Sequence, residues 1–221
     1  MASNFITGTG TDIGKTWLAC ALLRHWRRQG LEPAAYKPVL SGFDPAAAPD
    51  GDAGRLLAAL GRPTSQAEID AIAPWRFTAP LSPDMAAARE GRRIVFDELL
   101  AFTRQATVGA SPILVEGVGG VMVPLDEGHT VRDWIAASGL PCVLVAGSYL
   151  GSLSHTLTAL EALARVGAGV TAIALNETPD SPVALTATVE SLSRHVAGVP
   201  VVAIARRHPD AGVARLAELL C

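Results

Sequence analysis

Residues 8–16, GTGTDIGKT, have the composition of a loop that binds phosphate. The glycines lack Cβ atoms, so the backbone can turn tightly and direct several N–H groups at one anion. A helix predicted to begin at Lys15 adds the positive end of its dipole. The Lys15 ammonium can reach the β- and γ-phosphates, and the Thr16 hydroxyl can ligate magnesium. The segment therefore predicts a site for ATP with Mg²⁺.

The spacing of this loop differs from the common pattern. Five residues separate Gly8 from Gly14, where the common loop has four, and Thr9 stands at the usual position of the first glycine. An apolar strand is predicted just before the loop and a helix just after it. An ordinary glycine-rich turn is the alternative interpretation, but the strand–turn–helix context favours a phosphate loop.

Magnesium needs further oxygen ligands, which acidic residues near strand ends can supply. Glu116 ends a buried apolar run and is followed by glycines at 117, 119 and 120, which would let phosphate or substrate approach the backbone. Ligands gather at the carboxyl edge of an α/β sheet, so Glu116 is the best candidate. Asp50 and Asp52 precede a predicted helix, where each could be a ligand, an N-cap or a turn residue.

Strand and helix patterns alternate along the chain and predict an α/β fold. Strands are predicted at residues 5–7, 33–37, 112–116, 141–146, 170–176 and 199–204. Helices are predicted at residues 15–29, 53–60, 94–107, 130–138, 153–166 and 183–195. The strands are continuous apolar runs, as in a parallel sheet covered on both faces. We therefore predict a doubly wound, mostly parallel sheet flanked by helices, in one domain over residues 1–221.

Two segments interrupt this alternation. Residues 43–51 are rich in Pro, Ala and Asp and are predicted as a loop. Residues 62–92 carry many prolines and are predicted as an insertion of loops and brief helices on the scaffold.

Composition argues against several classes of partner. The 221 residues are 49% hydrophobic and 18% charged, with a formal net charge of −3 and no basic stripe, so we expect no nucleic-acid partner. No apolar run is long enough to span a bilayer, and no secretory signal pattern precedes the first strand, so we expect no membrane partner and a cytoplasmic protein. Cys20, Cys142 and Cys221 lack metal spacing and are predicted to be buried or terminal thiols.

Aromatic residues and histidines are scattered and are interpreted as structural. Trp17, Trp75 and Trp134 are predicted to pack in the core instead of stacking on a base. His155 lies in a predicted helix start, where a capping or packing role is favoured over general-base chemistry. His129, His195 and His208 have no Cys, Asp or Glu at metal spacing, so a zinc site is not expected.

Four stretches together closely resemble the dethiobiotin synthetase family. They are residues 7–16, YKPVLSG at residues 36–42, VEGVGG at residues 115–120 and LGSLSH at residues 150–155, and Asn176 extends the match. The phosphate loop alone would indicate only a nucleotide-binding superfamily. Its combination with Lys37-Pro38 and the glycine run after Glu116 is more specific, and the similarity spans nearly the whole chain.

The resemblance implies an ATP- and Mg²⁺-dependent ligase of biotin biosynthesis. Its substrates would be 7,8-diaminononanoate (7,8-diaminopelargonate), CO2 or bicarbonate, and ATP. CO2 is taken up as a carbamate on one amine, the carbamate oxygen attacks the γ-phosphate to form a carbamic–phosphoric anhydride, and the second amine closes the ureido ring. Two ammonium groups, Lys15 and Lys37, would offset the repulsion between carbamate and triphosphate.

The resemblance also implies roles for individual residues. Those expected to act in catalysis are Lys37, Lys15 and Thr11. Those expected to bind ATP are Gly10, Thr11, Asp12, Ile13, Gly14, Lys15, Thr16, Trp17, Glu116, Asn176 and Ala205. Those expected to bind the diamine substrate are Ser41, Gly151, Ser152, Leu153 and Ser154. The expected magnesium ligands are Thr16, Asp52 and Glu116, and Asp12 could contact either the metal or ATP.

In this family the helix that begins near Gly151 reaches across a two-fold interface, so the resemblance implies a homodimer with an active site shared between subunits. Its N-terminal N–H groups would bind the substrate's distal carboxylate. The sequence departs from the family at Ser154, where asparagine is usual, and at Ala205, where the family has proline before the segment that walls the base pocket. The departure at Ser154 affects a contact to the substrate carboxylate, and the departure at Ala205 affects nucleotide selectivity.

The main alternative is a partitioning or assembly ATPase of the related deviant-loop superfamily, which acts as a nucleotide switch. Those proteins usually carry an additional loop lysine where Gly10 stands, and this chain has no basic amphipathic tail. A cobyrinate-type amide synthase would need a glutaminase domain, for which the sequence shows no room after residue 204. A nucleotide kinase would need an Arg-rich lid. The ligase is the leading interpretation.

Overall fold

The computed structural model describes residues 3–109, 111–196 and 198–220. Its main sheet has six parallel strands in the order β2-β5-β1-β6-β7-β8. These strands are β1 Ser3–Gly8, β2 Ala34–Tyr36, β5 Ile113–Glu116, β6 Cys142–Gly147, β7 Val170–Asn176 and β8 Val201–Ile204. A second, two-stranded parallel sheet pairs β3 Val39–Ser41 with β4 Trp75–Phe77. The order changes direction beside β1, which makes the carboxyl end of β1 the place for a ligand crevice.

Helices connect the strands and cover the main sheet. They are α1 Lys15–Arg28, α2 Asp52–Leu60, α3 Gln66–Ile72, α4 Pro83–Arg89, α5 Phe96–Ala106, α6 Val131–Ser138, α7 Ser152–Ala164, α8 Leu185–Ser193 and α9 Asp210–Leu219. A short 3-10 turn at Pro45–Ala47 precedes α2. Within the described residues, no helix is long and apolar enough to cross a membrane.

The side chains of the strands alternate between two hydrophobic clusters, one on each face of the sheet. On one face, Ile6 and Val145 pack with residues of α1, α2 and α9. On the other, Phe5 and Leu144 pack with residues of α5, α6, α7 and α8. Strands buried on both faces need no polar side chains, which explains the continuous apolar runs in the sequence. The predicted doubly wound, mostly parallel fold is confirmed.

The register of the parallel strands brings separate motifs to one edge of the sheet. Tyr36 of β2 pairs with Val115 of β5, so the next residues, Lys37 and Glu116, lie side by side where the two strands end. Asn176 at the end of β7 pairs with Gly147 of β6. The phosphate loop leaves β1 between these two groups.

Several predicted boundaries and one interpretation change in the structure. The segment at residues 62–92 was expected to be loops with brief helices, but besides α3 and α4 it contains β4, which pairs with β3 beyond the sheet edge. Helix α9 was not predicted, although Val213, Leu216, Ala217 and Leu220 follow helical spacing and are buried. The predicted helices at 94–107 and 183–195 begin two residues later, at Phe96 and Leu185.

The cysteine prediction is confirmed for Cys20 and Cys142, which are free and buried. Burial raises the pKa of the Cys20 thiol to about 11 and that of Cys142 to about 12, so both are protonated at neutral pH. Cys221 lies outside the described residues.

Candidate active site

The phosphate loop connects β1 to α1 through two residues in the left-handed backbone region, Asp12 with φ 56° and Gly14 with φ 89°. Gly14 is the N-cap of α1, so the first N–H groups of this helix face the space above the loop. The Lys15 side chain lies across the loop and its Nζ donates to the Gly10 carbonyl at 2.6 Å. An anion bound above the loop would meet both the helix terminus and this ammonium.

The glycine run after Glu116 packs against the phosphate loop. A Cβ on Gly120 would lie 3.1 Å from the carbonyl oxygen of Thr9 and 3.3 Å from the backbone nitrogen of Gly10. The sequence suggested that these glycines let a ligand approach, whereas at Gly120 the close neighbour is the loop backbone itself. Gly120 therefore allows this run to pack closely against the backbone of the phosphate loop.

Four polar side chains meet at the ends of β2 and β5. Lys37 Nζ donates to Glu116 Oε1, lies 3.2 Å from Asp52 Oδ2 and 3.4 Å from the carbonyl oxygen of Gly117. Thr16 Oγ1 donates to the same Glu116 oxygen at 2.6 Å. The side chains of Lys37 and Glu116 are 5% and 1% exposed, so this ion pair is shielded from solvent, whereas Asp52 is 41% exposed.

The two lysines of the site have opposite pKa shifts. Burial, helped by the Lys37 ammonium, lowers the pKa of Lys15 to about 8 against the opposing attraction of Glu116 and Asp52. Burial alone would also lower the pKa of Lys37, but the carboxylates of Glu116 and Asp52 outweigh it and raise the pKa above its ordinary value. The Lys37 ammonium in turn overcomes the effect of burial on Asp52 and lowers the pKa of that carboxyl.

The predicted magnesium ligands Thr16, Asp52 and Glu116 are brought together here. Glu116 Oε2 is buried and has no hydrogen-bond partner among the described residues, which leaves a carboxylate oxygen free to ligate a cation. Asp52 lies in the first turn of α2, after the N-cap Gly51, so the N-cap alternative for Asp52 is wrong. The described residues contain no cluster of three or more His, Cys, Asp or Glu side chains suited to a metal. A hydroxyl and two carboxylates suit Mg²⁺, which keeps waters and phosphate oxygens as its other ligands.

A cavity of about 580 Å³ opens between these groups and the second sheet. Its lining includes Lys15, Lys37, Ser41 and Glu116, with residues of the turn at 80–83 opposite. Ser41 Oγ is buried without a hydrogen-bond partner in the described part of the chain, so it is available to a ligand. The cavity thus presents two ammonium groups and an unpaired hydroxyl to one volume.

A second cavity of about 660 Å³ lies on the other side of the phosphate loop. Its lining includes Asn176, Ile204 and Arg206, but not Ala205 between them. Asn176 Nδ2 donates to the Ile13 carbonyl at 2.7 Å, which leaves its buried Oδ1 without a partner among the described residues. An acceptor oxygen in such a cavity suits the exocyclic amino group of a base.

Trp17 belongs to neither core cluster, so the core-packing prediction for this residue is wrong. It is 46% exposed and lines both cavities, together with Thr11, Asp12 and Gly14. Trp134, in contrast, is fully buried and packs edge-on against Phe5. Successive residues are about 100° apart around a helix axis, so Trp17 can be exposed although the next residue, Leu18, is buried in the core.

The remaining predicted substrate residues lie elsewhere on the same sheet edge. Gly151, with φ 95°, is the N-cap of α7, and Ser152, Leu153 and Ser154 form its first turn. None of the four lines either cavity within the described chain. The neighbouring Leu150 is 86% exposed, and His155 pairs its Nδ1 with the Tyr149 hydroxyl at 2.9 Å.

Sequence reasoning missed several residues that line the cavities. Arg55 lies on α2 one turn after Asp52, so helical spacing from Asp52 could have identified it. The turn at residues 80–83 reaches the 580 Å³ cavity only because β4 pairs with β3, for which the sequence carries no local signal. Tyr149 and Glu177 of the 660 Å³ cavity each follow a predicted strand end, which was an available signal.

Relatives of known name resemble this chain over nearly its whole length. A family model described as an AAA domain matches residues 3–212. The ATP-dependent dethiobiotin synthetase BioD of Acidiphilium cryptum (strain JF-5) is 54% identical over 202 residues, which cover 90% of this chain and 91% of that protein. The protein of the same name from Phenylobacterium zucineum (strain HLK1) is 43% identical over 224 residues, covering 100% of this chain and 95% of that protein.

Solved structures resemble the fold at much lower identity. The cell division ATPase MinD of Pyrococcus furiosus has a TM-score of 0.59 at 12% identity and covers 99% of this chain and 98% of its own. The signal recognition particle receptor FtsY of Elizabethkingia anophelis has a TM-score of 0.56 at 12% identity, covering 100% of this chain and 65% of its own. These two likenesses concern the fold alone. The two relatives at 54% and 43% identity show more: the chain belongs to the dethiobiotin synthetase family.

Proposed function

We propose that this chain is an ATP- and Mg²⁺-dependent ligase that forms the ureido ring of dethiobiotin from 7,8-diaminononanoate and CO2. The observation that supports this best is the pair of cavities that meet at the phosphate loop, one with the unpaired amide oxygen of Asn176 and the other with two lysines. A nucleotide whose base occupies the first cavity carries its phosphates over the loop and into the second. There the γ-phosphate meets the diamine substrate.

The lysines explain how two anions can react in that cavity. The carbamate is negative and must approach the triphosphate, so its attack on the γ-phosphate is opposed by charge repulsion unless cations lie between them. Lys15 contacts the phosphates, and Lys37 contacts the carbamate. The carbamate oxygen bonds to phosphorus as the bond to ADP breaks, and the second amine then attacks the carbamoyl carbon and releases phosphate. Ser41 and Thr11 orient the reacting groups through their hydroxyls.

Thr16, Asp52 and Glu116 are the residues that would hold magnesium. Mg²⁺ neutralises charge on the phosphate oxygens when it is bound. Two protein carboxylates and one hydroxyl leave room for phosphate oxygens and water in its coordination shell. Asp12 lies at the mouth of both cavities and is assigned to the nucleotide.

The substrate's distal carboxylate is assigned to the start of α7 in a second copy of the chain. Gly151 and its neighbours line neither cavity in their own chain, yet within the described residues α7 begins without a side-chain cap, and the N-terminal end of a helix favours an anion. A homodimer with a shared active site follows from this assignment. The proposed compartment, the cytoplasm, rests on the sequence alone.

A nucleotide switch of the partitioning ATPase class is the less favoured function. Gly10 stands where those proteins carry a loop lysine. The likeness to MinD is one of fold at 12% identity. Three relatives at 43% to 54% identity are each named ATP-dependent dethiobiotin synthetase.

One assay separates the two functions. Purified protein is incubated with ATP, Mg²⁺, bicarbonate and 7,8-diaminononanoate, and ADP and dethiobiotin are measured together. We expect ADP and dethiobiotin in equal amounts, with little ADP when the diamine is omitted. ATP turnover that is indifferent to the diamine would instead identify a switch ATPase.

A further inference from the structure

The ammonium of Lys37 lies where a metal ion is expected. It contacts Asp52 Oδ2 at 3.2 Å and Glu116 Oε1, which are oxygens of two of the three predicted magnesium ligands. The third, Thr16, donates its hydroxyl to the same Glu116 oxygen. Lys37 thus contacts two of the three ligand side chains directly, and the third shares the Glu116 oxygen with it.

We infer that Lys37 is the resident cation of the magnesium site in the nucleotide-free protein, and that magnesium arriving with ATP displaces its ammonium into the substrate cavity. This inference rests on the proposed function, because it takes the magnesium ligands from there. It adds a second function to those ligands: besides holding the metal, they hold Lys37 back until the nucleotide has bound.

Charge favours the displacement. A divalent cation bound to Asp52 and Glu116 would lie within a few ångströms of an ammonium that contacts the same two carboxylates, and like charges at that distance repel strongly when they are buried. Lys37 is only 5% exposed, so it cannot simply move into bulk solvent. The open volume within its reach is the 580 Å³ cavity that it shares with Ser41.

The displacement also accounts for an otherwise costly arrangement. Glu116 is 1% exposed, and a buried carboxylate without a cation is strongly destabilising. Lys37 supplies that cation before magnesium arrives. Once magnesium replaces it, the ammonium needs a new anion, and the carbamate is the anion that the reaction brings into the cavity. Metal binding would therefore prepare the cavity for the carbamate.

The test measures metal binding instead of catalysis. Mn²⁺ affinity is measured by electron paramagnetic resonance without nucleotide for the wild type, Lys37→Met and Lys15→Met. Lys15→Met is the matched control, because it removes a nearby positive charge that contacts the Gly10 carbonyl and no carboxylate. We expect Lys37→Met to bind Mn²⁺ at least about 5-fold more tightly than the wild type, and Lys15→Met to change far less.

Two outcomes would overturn the inference: equal affinity of Lys37→Met and wild type, or equal gains in both lysine variants, which would reveal a general charge effect. The variant Glu116→Gln distinguishes failure of this inference from failure of the proposed function. If Glu116→Gln leaves Mn²⁺–ADP binding unchanged, the metal assignment itself is wrong. If it abolishes binding while Lys37→Met behaves as wild type, only the displacement fails.

Because Lys37→Met leaves Glu116 without its cation, its folding is checked by circular dichroism. Should it not fold, crystal structures of the wild type with and without Mg²⁺–ADP decide. We expect Lys37 Nζ to leave Glu116 Oε1 and turn toward Ser41 when the metal is bound. An unchanged Lys37–Glu116 contact in the presence of bound metal would contradict the displacement.

Discussion

Lys15 and Lys37 are the same residue type a short distance apart, yet their surroundings give them different chemistry. Lys15 has a backbone carbonyl as its hydrogen-bond acceptor, and burial with Lys37 nearby lowers its pKa to about 8. Lys37 has two carboxylates, which raise its pKa against the effect of burial. The positive charge of Lys15 therefore has no carboxylate in direct contact among the described residues and is suited to bind an anion. Lys37 already contacts two carboxylates and must leave them before it can bind another anion.

The first prediction concerns Lys37. Lys37→Ala should lower the rate of dethiobiotin formation by about 10²-fold or more, because it removes a cation from the developing charge between carbamate and phosphate. ATP binding should change little, since the phosphates contact Lys15 and the loop. Steady-state kinetics with calorimetric measurement of ATP affinity would check both parts. Near-normal turnover would remove Lys37 from the catalytic residues.

The second prediction concerns Asn176. Asn176→Ala should weaken ATP binding about tenfold, because it removes the free amide oxygen in the base cavity and the hydrogen bond to the Ile13 carbonyl. The rate at saturating ATP should stay close to that of the wild type, since the reacting groups are untouched. A variant with a lower saturated rate and unchanged KM for ATP would contradict the assignment.

At the scale of elements, the predicted fold class was correct because the long strands are continuous apolar runs and the helices carry their own periodicity. The two strands of the second sheet, Val39–Ser41 and Trp75–Phe77, were missed because they pair with each other only after a long excursion of the chain. Helix α9 was missed although its buried apolar residues follow helical spacing.

The sequence could predict which residues belong to the site but not which of them contact each other. Lys37 and Glu116 could each be identified from a strand end, but their contact depends on β5 lying next to β2, a fact of strand order. The orientation of the Asn176 amide depends likewise on the Ile13 carbonyl. Trp17 was misassigned to the core because its exposure follows from the direction of α1 relative to the loop.

The third prediction tests the start of α6. The Asp133 carboxylate accepts hydrogen bonds from the Thr130 N–H at 2.8 Å and from its hydroxyl at 2.7 Å. Asp133→Ala should lower the free energy of unfolding by about 1 kcal/mol at pH 7, as expected for loss of a capping box. Urea titrations of both proteins would measure it.

This loss should depend on pH in one direction. Although burial raises the pKa of Asp133, the hydrogen bonds from Thr130 outweigh it and hold the pKa below its ordinary value of 3.8. A lowered carboxyl pKa stabilises the fold above 3.8, and this stabilisation disappears as the pH falls through the folded-state pKa. The difference between wild type and Asp133→Ala should therefore shrink in acid. A difference that grows below pH 3.8 would contradict this account.

At the scale of the whole molecule, the parallel sheet gathers every candidate group at one edge but leaves the start of α7 apart from both cavities. Gly151 and Ser154 lie on the same edge as the phosphate loop, because β6 is the neighbour of β1. The proposed dimer would bring this helix start to the partner's substrate cavity. Each subunit would then depend on the other for substrate binding.

The fourth prediction follows from this dependence. Ser154→Glu should repel the substrate carboxylate yet fold normally, because an acidic side chain in the first turn suits the helix dipole. Ser154→Asn, the usual family residue, is the matched control and should stay active. Mixing Ser154→Glu with Lys37→Ala should restore about a quarter of wild-type activity, since half of the dimers are mixed and each has one intact site.

Failure of the mixture to regain activity, after subunit exchange has been demonstrated, would contradict a shared site. A mixture of Lys37→Ala with Lys15→Ala is the negative control, and it should regain no activity. Both changes fall in the same cavity of one chain, so no combination of these subunits carries an intact site.

The wall of Thr11, Asp12, Gly14 and Trp17 that separates the two cavities has an evolutionary consequence. Residues that line only the 660 Å³ cavity, such as Arg206, lie on the far side of this wall from Lys37 and Ser41. Mutations that alter which nucleotide is preferred can therefore accumulate without disturbing the bond-forming groups. Nucleotide preference and ring-forming chemistry can thus evolve separately, and the departure at Ala205 lies between two residues of the 660 Å³ cavity, Ile204 and Arg206.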